Sequence, residues 1–196
     1  MTIPTEPIGS IPRPLQLIEA VAARGGTDPA LGPLYDEAIR DTIARFEATG
    51  PPVITDGEQR KYHNFWTYCV QGLPNTAPDG FKIPFSAGHV RRMLRLTAGP
   101  FRYWRHADEY LDVALRYAHR PVKQAVISPS ALSLMYPPGE VPGHPRGQFI
   151  DDLLREHETE VRNCLRKGAH NVQIDFTEAR LALLRTRSLS ARSKYR

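Results

Sequence analysis

Apolar residues recur at helical spacing in three stretches of the chain. From Pro33 to Thr49, Leu34, Ala38, Ile39, Ile43 and Phe46 fall on one helical face, and Gly50 follows as a stop. From Ala107 to His119 the apolar positions are Tyr110, Leu111, Ala114, Leu115 and Tyr117. The longest stretch, Gly147 to Lys167, carries Phe149, Ile150, Leu153, Leu154, Val161 and Leu165 and stops at Gly168. Glu156, Glu158 and Glu160 read as its solvated face. Short apolar runs between these helices read as strands: one closing at Ile8-Gly9-Ser10, then Val53–Thr55, Val122–Ile127 and Asn171–Ile174, the last ending at Asp175. Met93–Thr97 alternates apolar and basic residues, as a rim strand would. Prolines punctuate the edges of these segments, at Pro12, Pro14, Pro51, Pro52, Pro137, Pro138, Pro142 and Pro145.

Strands alternating with helices predict an α/β fold of parallel βαβ units, whose functional groups gather at the C-terminal ends of the strands. Those ends are Gly9-Ser10, Asp56-Gly57-Glu58, Ser128-Pro129-Ser130 and Asp175-Phe176-Thr177-Glu178. Small, hydroxyl and acidic groups recur there, which predicts a polar ligand pocket on one rim.

Composition narrows the partners. The chain has 196 residues, 41% hydrophobic and 24% charged, ordinary for one globular domain. No apolar run reaches the roughly 18 residues of a membrane helix, so no membrane partner is expected. Residues 1–6 show neither the basic nor the apolar region of a signal peptide. Cys69 and Cys164 lie far apart and form no disulfide framework, so a reducing, cytoplasmic location is the expectation. The net charge of +5 is concentrated at one end: from Arg180 onward there are six basic residues and no acid, leaving 20 basic and 21 acidic residues before it. A body of net charge −1 has no footprint for a phosphate backbone, which argues against a nucleic-acid partner.

Four segments, taken in order, resemble the C-terminal catalytic domain of the cobalamin-independent methionine synthase family. Thr5 to Pro12 resembles its Ile-Gly-Ser-Phe-Pro segment, and Asp56-Gly57-Glu58-Gln59-Arg60 its His-Gly-Glu-x-x-Arg segment, with Asp56 in place of His. Pro121 to Pro129 is similar to its Lys-Gly-x-Leu-Thr-Gly-Pro strand, and Asn171 to Asp175 to its Ile-Gln-Ile-Asp-Glu-Pro strand. The resemblance implies a (β/α)8 TIM-barrel type fold, here incomplete, with about the first five β/α units over residues 1–184. Residues 185–196 then form a basic, disordered tail.

The resemblance implies methyl transfer from a methyl-folate to the thiol of homocysteine, a step of methionine biosynthesis, with zinc binding and acidifying the thiol. It places Ile8, Gly9, Ser10, Glu58 and Asp175 at the amino-acid end of that substrate. The residue types suit this independently: carboxylates at strand ends hold an ammonium, and a Gly-Ser turn offers N–H and O–H to a carboxylate. There are departures. The family's second Glu, which helps hold the folate, is replaced by Leu181. Its zinc ligands, a His-x-Cys pair, a Glu and a late Cys, all follow the Ile-Gln-Ile-Asp strand; this chain ends 21 residues after Asp175 and contains no His-x-Cys. The reading is therefore of a chain truncated or frame-shifted before the zinc site, and weak or inactive by itself. Alkyl transfer to a thiol, as in epoxyalkane:coenzyme M transferases, and a non-catalytic remnant remain open as alternatives. An incomplete barrel also leaves open sheet edges through which the chain would self-associate.

Blander roles weigh on other candidates. Cys69 and Cys164 read as buried structural residues. The seven histidines show no i,i+4 pair, and only His63 lies near an expected site. Trp66 and Trp104 read as packing aromatics more readily than as a platform for a pterin ring.

Overall fold

A computed structural model describes residues 3–61, 67–84 and 90–176. His63, Trp66, Glu178, Leu181 and the basic tail lie outside the described residues. The chain divides into two compact units: Met1–Cys69 with Arg105–Val126 and Glu160–Gln173, and Val70–Trp104 with Ile127–Thr159 and Ile174–Arg196.

In the first unit, α1 (Leu15–Arg24) and α2 (Gly32–Ala48) pack through Leu17, Leu31, Tyr35 and Ala38. Pro33 sits in the first turn of α2, where its missing N–H costs nothing, and Gly50, at φ 80°, follows its C-terminus. The expected 107–119 helix begins as a 3-10 turn, Ala107–Tyr110, and continues as α3 (Leu111–Tyr117). Val53–Thr55 contributes one parallel bridge, Ile54 to Val122, tied by Ile54 N–H to Pro121 C=O and Lys123 N–H to Ile54 C=O, each 2.9 Å. It leads into β5 (Lys123–Ile127), buried throughout and paired with β6 (Asn171–Asp175). Hydrogen bonds from His170 N–H to Val122 C=O and from Ser128 N–H to Asp175 C=O, both 2.8 Å, advance in the same sense along both strands, so the pairing is parallel.

Two expectations need correcting here. Ile8–Ser10 is extended but is not a strand. Pro4, Pro7, Pro12 and Pro14 deprive this stretch of ladder donors, and Ile11 N–H reaches Gly57 C=O (3.2 Å) instead. Glu160 is not on a solvated face: it is fully buried on α5 (Arg146–Lys167).

In the second unit, β1 (Thr76–Ala77) pairs antiparallel with β4 (Arg95–Leu96), and β2 (Lys82–Pro84) with β3 (Val90–Arg92). The expected 93–97 strand thus shrinks to Arg95–Leu96, with Met93 and Leu96 buried. Ser128 caps the short α4 (Pro129–Leu132) by accepting from Ala131 N–H at 3.2 Å. Asp152 of α5 is buried; it accepts from Phe101 N–H (2.9 Å) and pairs with Arg102 (3.1 Å) and Arg155. Trp104 is 63% exposed, so the packing role expected of it is not observed. Among the described residues the strands form three two-stranded sheets, and no closed barrel is present. No helix among them is long and apolar enough to cross a membrane.

Candidate functional site

The first unit gathers its charged side chains around one turn. Past the Ile54–Val122 bridge the chain must reverse, and the sequence Thr55-Asp56-Gly57-Glu58 supplies the means. Thr55 Oγ1 accepts from Gly57 N–H (2.9 Å), and Asp56 Oδ1 from Glu58 N–H (2.8 Å), an Asx-type turn. Gly57 takes φ 67°, and a Cβ there would lie 2.7 Å from Thr42 Cγ2. Glu58 itself has φ 56°, a conformation that costs a non-glycine residue about 1 kcal/mol and persists only when its surroundings impose it.

Two clamps impose it. From outside, the Arg13 guanidinium donates to the carbonyls of Lys61 (2.7 Å), Gln59 (2.8 Å) and Glu58 (3.3 Å). From inside, Lys61 turns back and donates through Nζ to Glu58 Oε2 (3.1 Å) and Ala125 C=O (2.6 Å). The same ammonium stands 4.9 Å from the centre of the Tyr68 ring, within cation–π reach. The Glu58 and Lys61 side chains are 5% and 1% exposed. Glu58 Oε1 rests against Gly9, where a Cβ would lie 2.5 Å away. Nearby, Lys123 Nζ donates to Glu6 Oε1 (3.1 Å).

Two more carboxylates share this surrounding. Glu160 Oε1 accepts from Tyr68 O–H (2.7 Å) and Ala107 N–H (2.8 Å), while its Oε2 has no partner. Burial pushes Glu160 up to about 7, against the lowering effect of those two donors and of Lys61. Burial likewise raises Asp56, whose Oδ2 is unpartnered, by more than Lys61 and Glu58 N–H lower it. For Lys61, burial pulls the ammonium down, but Glu58 and Asp56 outweigh it and hold the pKa above the usual lysine value. Three carboxylates therefore face one ammonium.

Of the residues expected at the site, Gly9 and Glu58 are brought together. Ile8 is 82% exposed and Ser10 is exposed. Asp175 belongs to the other unit, half-buried at the end of β6. Sequence reasoning missed Arg13, Lys61, Tyr68 and Glu160. Glu160 had a readable signal: Leu153, Glu160 and Cys164, all buried, share one helical stripe. Both cysteines are free and buried, and burial pushes the Cys164 thiol up to about 12.

The Gly9 contact makes a first prediction. Gly9→Ala is expected to push the Glu58 carboxylate off Lys61 and to lower stability by about 1 kcal/mol. Urea unfolding measures this; no change in midpoint would show that Glu58 yields freely.

The zinc implied by the resemblance was tested against the side chains present. Among the described residues no group of three or more His, Cys, Asp and Glu side chains could hold a metal ion. These residues do not fit zinc.

Parallel pairing flanked by helices, with an acidic turn after the bridged segment, defines an α/β chain with a polar site. No known family profile matches the sequence, and no curated protein matches it. Among solved structures, the chain is similar to a B12-independent methionine synthase from Shewanella sp. W3-18-1 in complex with selenomethionine. That likeness has a TM-score of 0.69 at 17% identity, over 88% of this chain and 51% of that one. It is also similar to the putative vitamin-B12 independent methionine synthase from Listeria monocytogenes: TM-score 0.61, 18% identity, 85% of this chain and 49% of that one. At these identities the likeness is one of fold, and the chain spans about half the length of both structures.

Proposed function

We propose that the chain carries the thiol-acceptor site of a methyltransferase-like protein, of the kind that builds methionine without cobalamin. The parent architecture in this reading is the (β/α)8 barrel. The observation that carries it is the meeting of Gly9 with the Glu58 carboxylate. Two segments of the resemblance, far apart in sequence, come together where a substrate's acid and amino groups would be read. The fold likeness supports the reading, and the Shewanella protein was solved with selenomethionine, a close relative of the product.

In this reading the exposed Ser10 hydroxyl and the neighbouring backbone N–H groups hold the acid group of a small thiol. Glu58 sets the charge beside them. Asp175, in the other unit, enters through the resemblance alone. A methyl-folate is the donor that the resemblance implies. A free thiol is only a few per cent thiolate at pH 7. The reading assigns no described residue to activating it, and no step is routed through zinc.

The test is calorimetric titration with homocysteine and related small thiol acids. Binding with a Kd from about 1 μM to 1 mM is expected. Ser10→Ala, at an exposed position that leaves the fold intact, is expected to weaken it about tenfold, the value of one hydrogen bond to a charged group. No binding of any small thiol acid would end this reading.

A further inference from the structure

We propose that Lys61 is a built-in ammonium that closes Glu58 to amino-acid ligands, so that the site selects small acid-bearing thiols lacking an amino group. This rests on the acceptor-site reading above and names its substrate class.

Glu58 has no free oxygen to offer. Its Oε2 is 3.1 Å from Lys61 Nζ, and its Oε1 is packed on Gly9. A ligand's ammonium would have to replace that of Lys61, and Lys61 is not a loose surface lysine. Its Nζ is held by Glu58, by the Ala125 carbonyl and by the Tyr68 face, in a side chain 1% exposed. Moving it away strands the buried Ala125 carbonyl, an unsatisfied polar group of the costly kind. Lys61 is also tethered three residues from Glu58, so it competes at the effective concentration of an intramolecular partner, commonly millimolar or higher. A free amino acid does not match that.

Asp56 and Glu160 do not take over the role. Each has one unpartnered oxygen, but burial raises both, which favours their neutral forms and weakens them as anchors for an ammonium. The charge that remains for a ligand to meet is that of Lys61. It repels an amino group and attracts an acid group.

A matched pair of ligands separates the possibilities: homocysteine, and 4-mercaptobutanoate, the same thiol acid without the amino group. Calorimetry on the unmodified chain is expected to show 4-mercaptobutanoate binding at least about tenfold tighter. Lys61→Met, which frees Glu58, is expected to reverse the order. If Lys61→Met does not fold, Lys61→Met combined with Glu58→Gln removes both charges together, and the two ligands are then expected to bind within about threefold of each other. Homocysteine binding as tightly as 4-mercaptobutanoate, or more tightly, to the unmodified chain overturns the inference while leaving the acceptor-site reading intact. A preference that survives unchanged in the double variant also overturns it. Binding of neither ligand overturns the acceptor-site reading, and the inference with it.

Discussion

Lys61→Met is expected to destabilise the chain by about 3–5 kcal/mol, the usual cost of removing one partner from a buried ion pair. The methionine fills most of the space, so the loss is one of charge rather than volume. Glu58, at 5% exposure, would keep its place against Gly9 with no cation to face, and the Ala125 carbonyl would lose its donor. Asp56 and Glu160 would lose the only ammonium that acts on both. Adding Glu58→Gln should recover much of the loss, because a matched neutral pair carries little of the penalty. Urea unfolding of the single and double variants forms a complete cycle with Glu58→Gln. Equal destabilisation in the single and double variants would show that the pair is not coupled.

Glu160→Gln is expected to act in the opposite direction, and only at high pH. The folded chain holds the Glu160 proton up to about 7, whereas the ordinary glutamate value is 4.5. The folded state therefore binds that proton more tightly than the unfolded chain. The resulting stability is full below the lower value and is lost as pH rises through the upper one. Over that window the loss is on the order of 3 kcal/mol. Asp56, also raised by burial, adds a loss of the same sign. Glutamine keeps an oxygen for Tyr68 O–H and Ala107 N–H but cannot ionise. The variant should be near neutral in stability at pH 5 and more stable than the parent by about 2–3 kcal/mol at pH 8. Urea midpoints at the two pH values decide it, and a stability difference independent of pH would count against the raised Glu160.

The elements that could be read from the sequence are those whose signal is local. α2 and α5 declare themselves by apolar spacing, and β5 and β6 by short apolar runs ending in polar residues. α1 escaped because its ten residues lie between proline-rich and glycine-rich stretches that look like loop. The N-terminal strand was a false reading, since its prolines outweigh its apolar residues as a guide to pairing. At the site, Glu58 stood out at the end of an apolar run. Lys61 did not, because what makes it notable is its burial against Ala125 and Tyr68, and no local pattern announces that. Glu160 was misjudged for a related reason. Alternating glutamates suggest solvent, yet only Glu160 falls on the stripe of Leu153 and Cys164.

The Arg13 guanidinium ties a stretch with no regular structure of its own to the carbonyls of three residues in the site turn. Whenever residues 3–14 lift away, the turn loses three hydrogen bonds at once, and Gly9 withdraws from Glu58 in the same event. Docking of that stretch and shaping of the turn are thus linked equilibria. Any ligand held against Gly9 and Ser10 must draw on the docked population, and by mass action it enlarges that population. Amide hydrogens in the turn would then exchange more slowly when the ligand is present, although most of them never touch it.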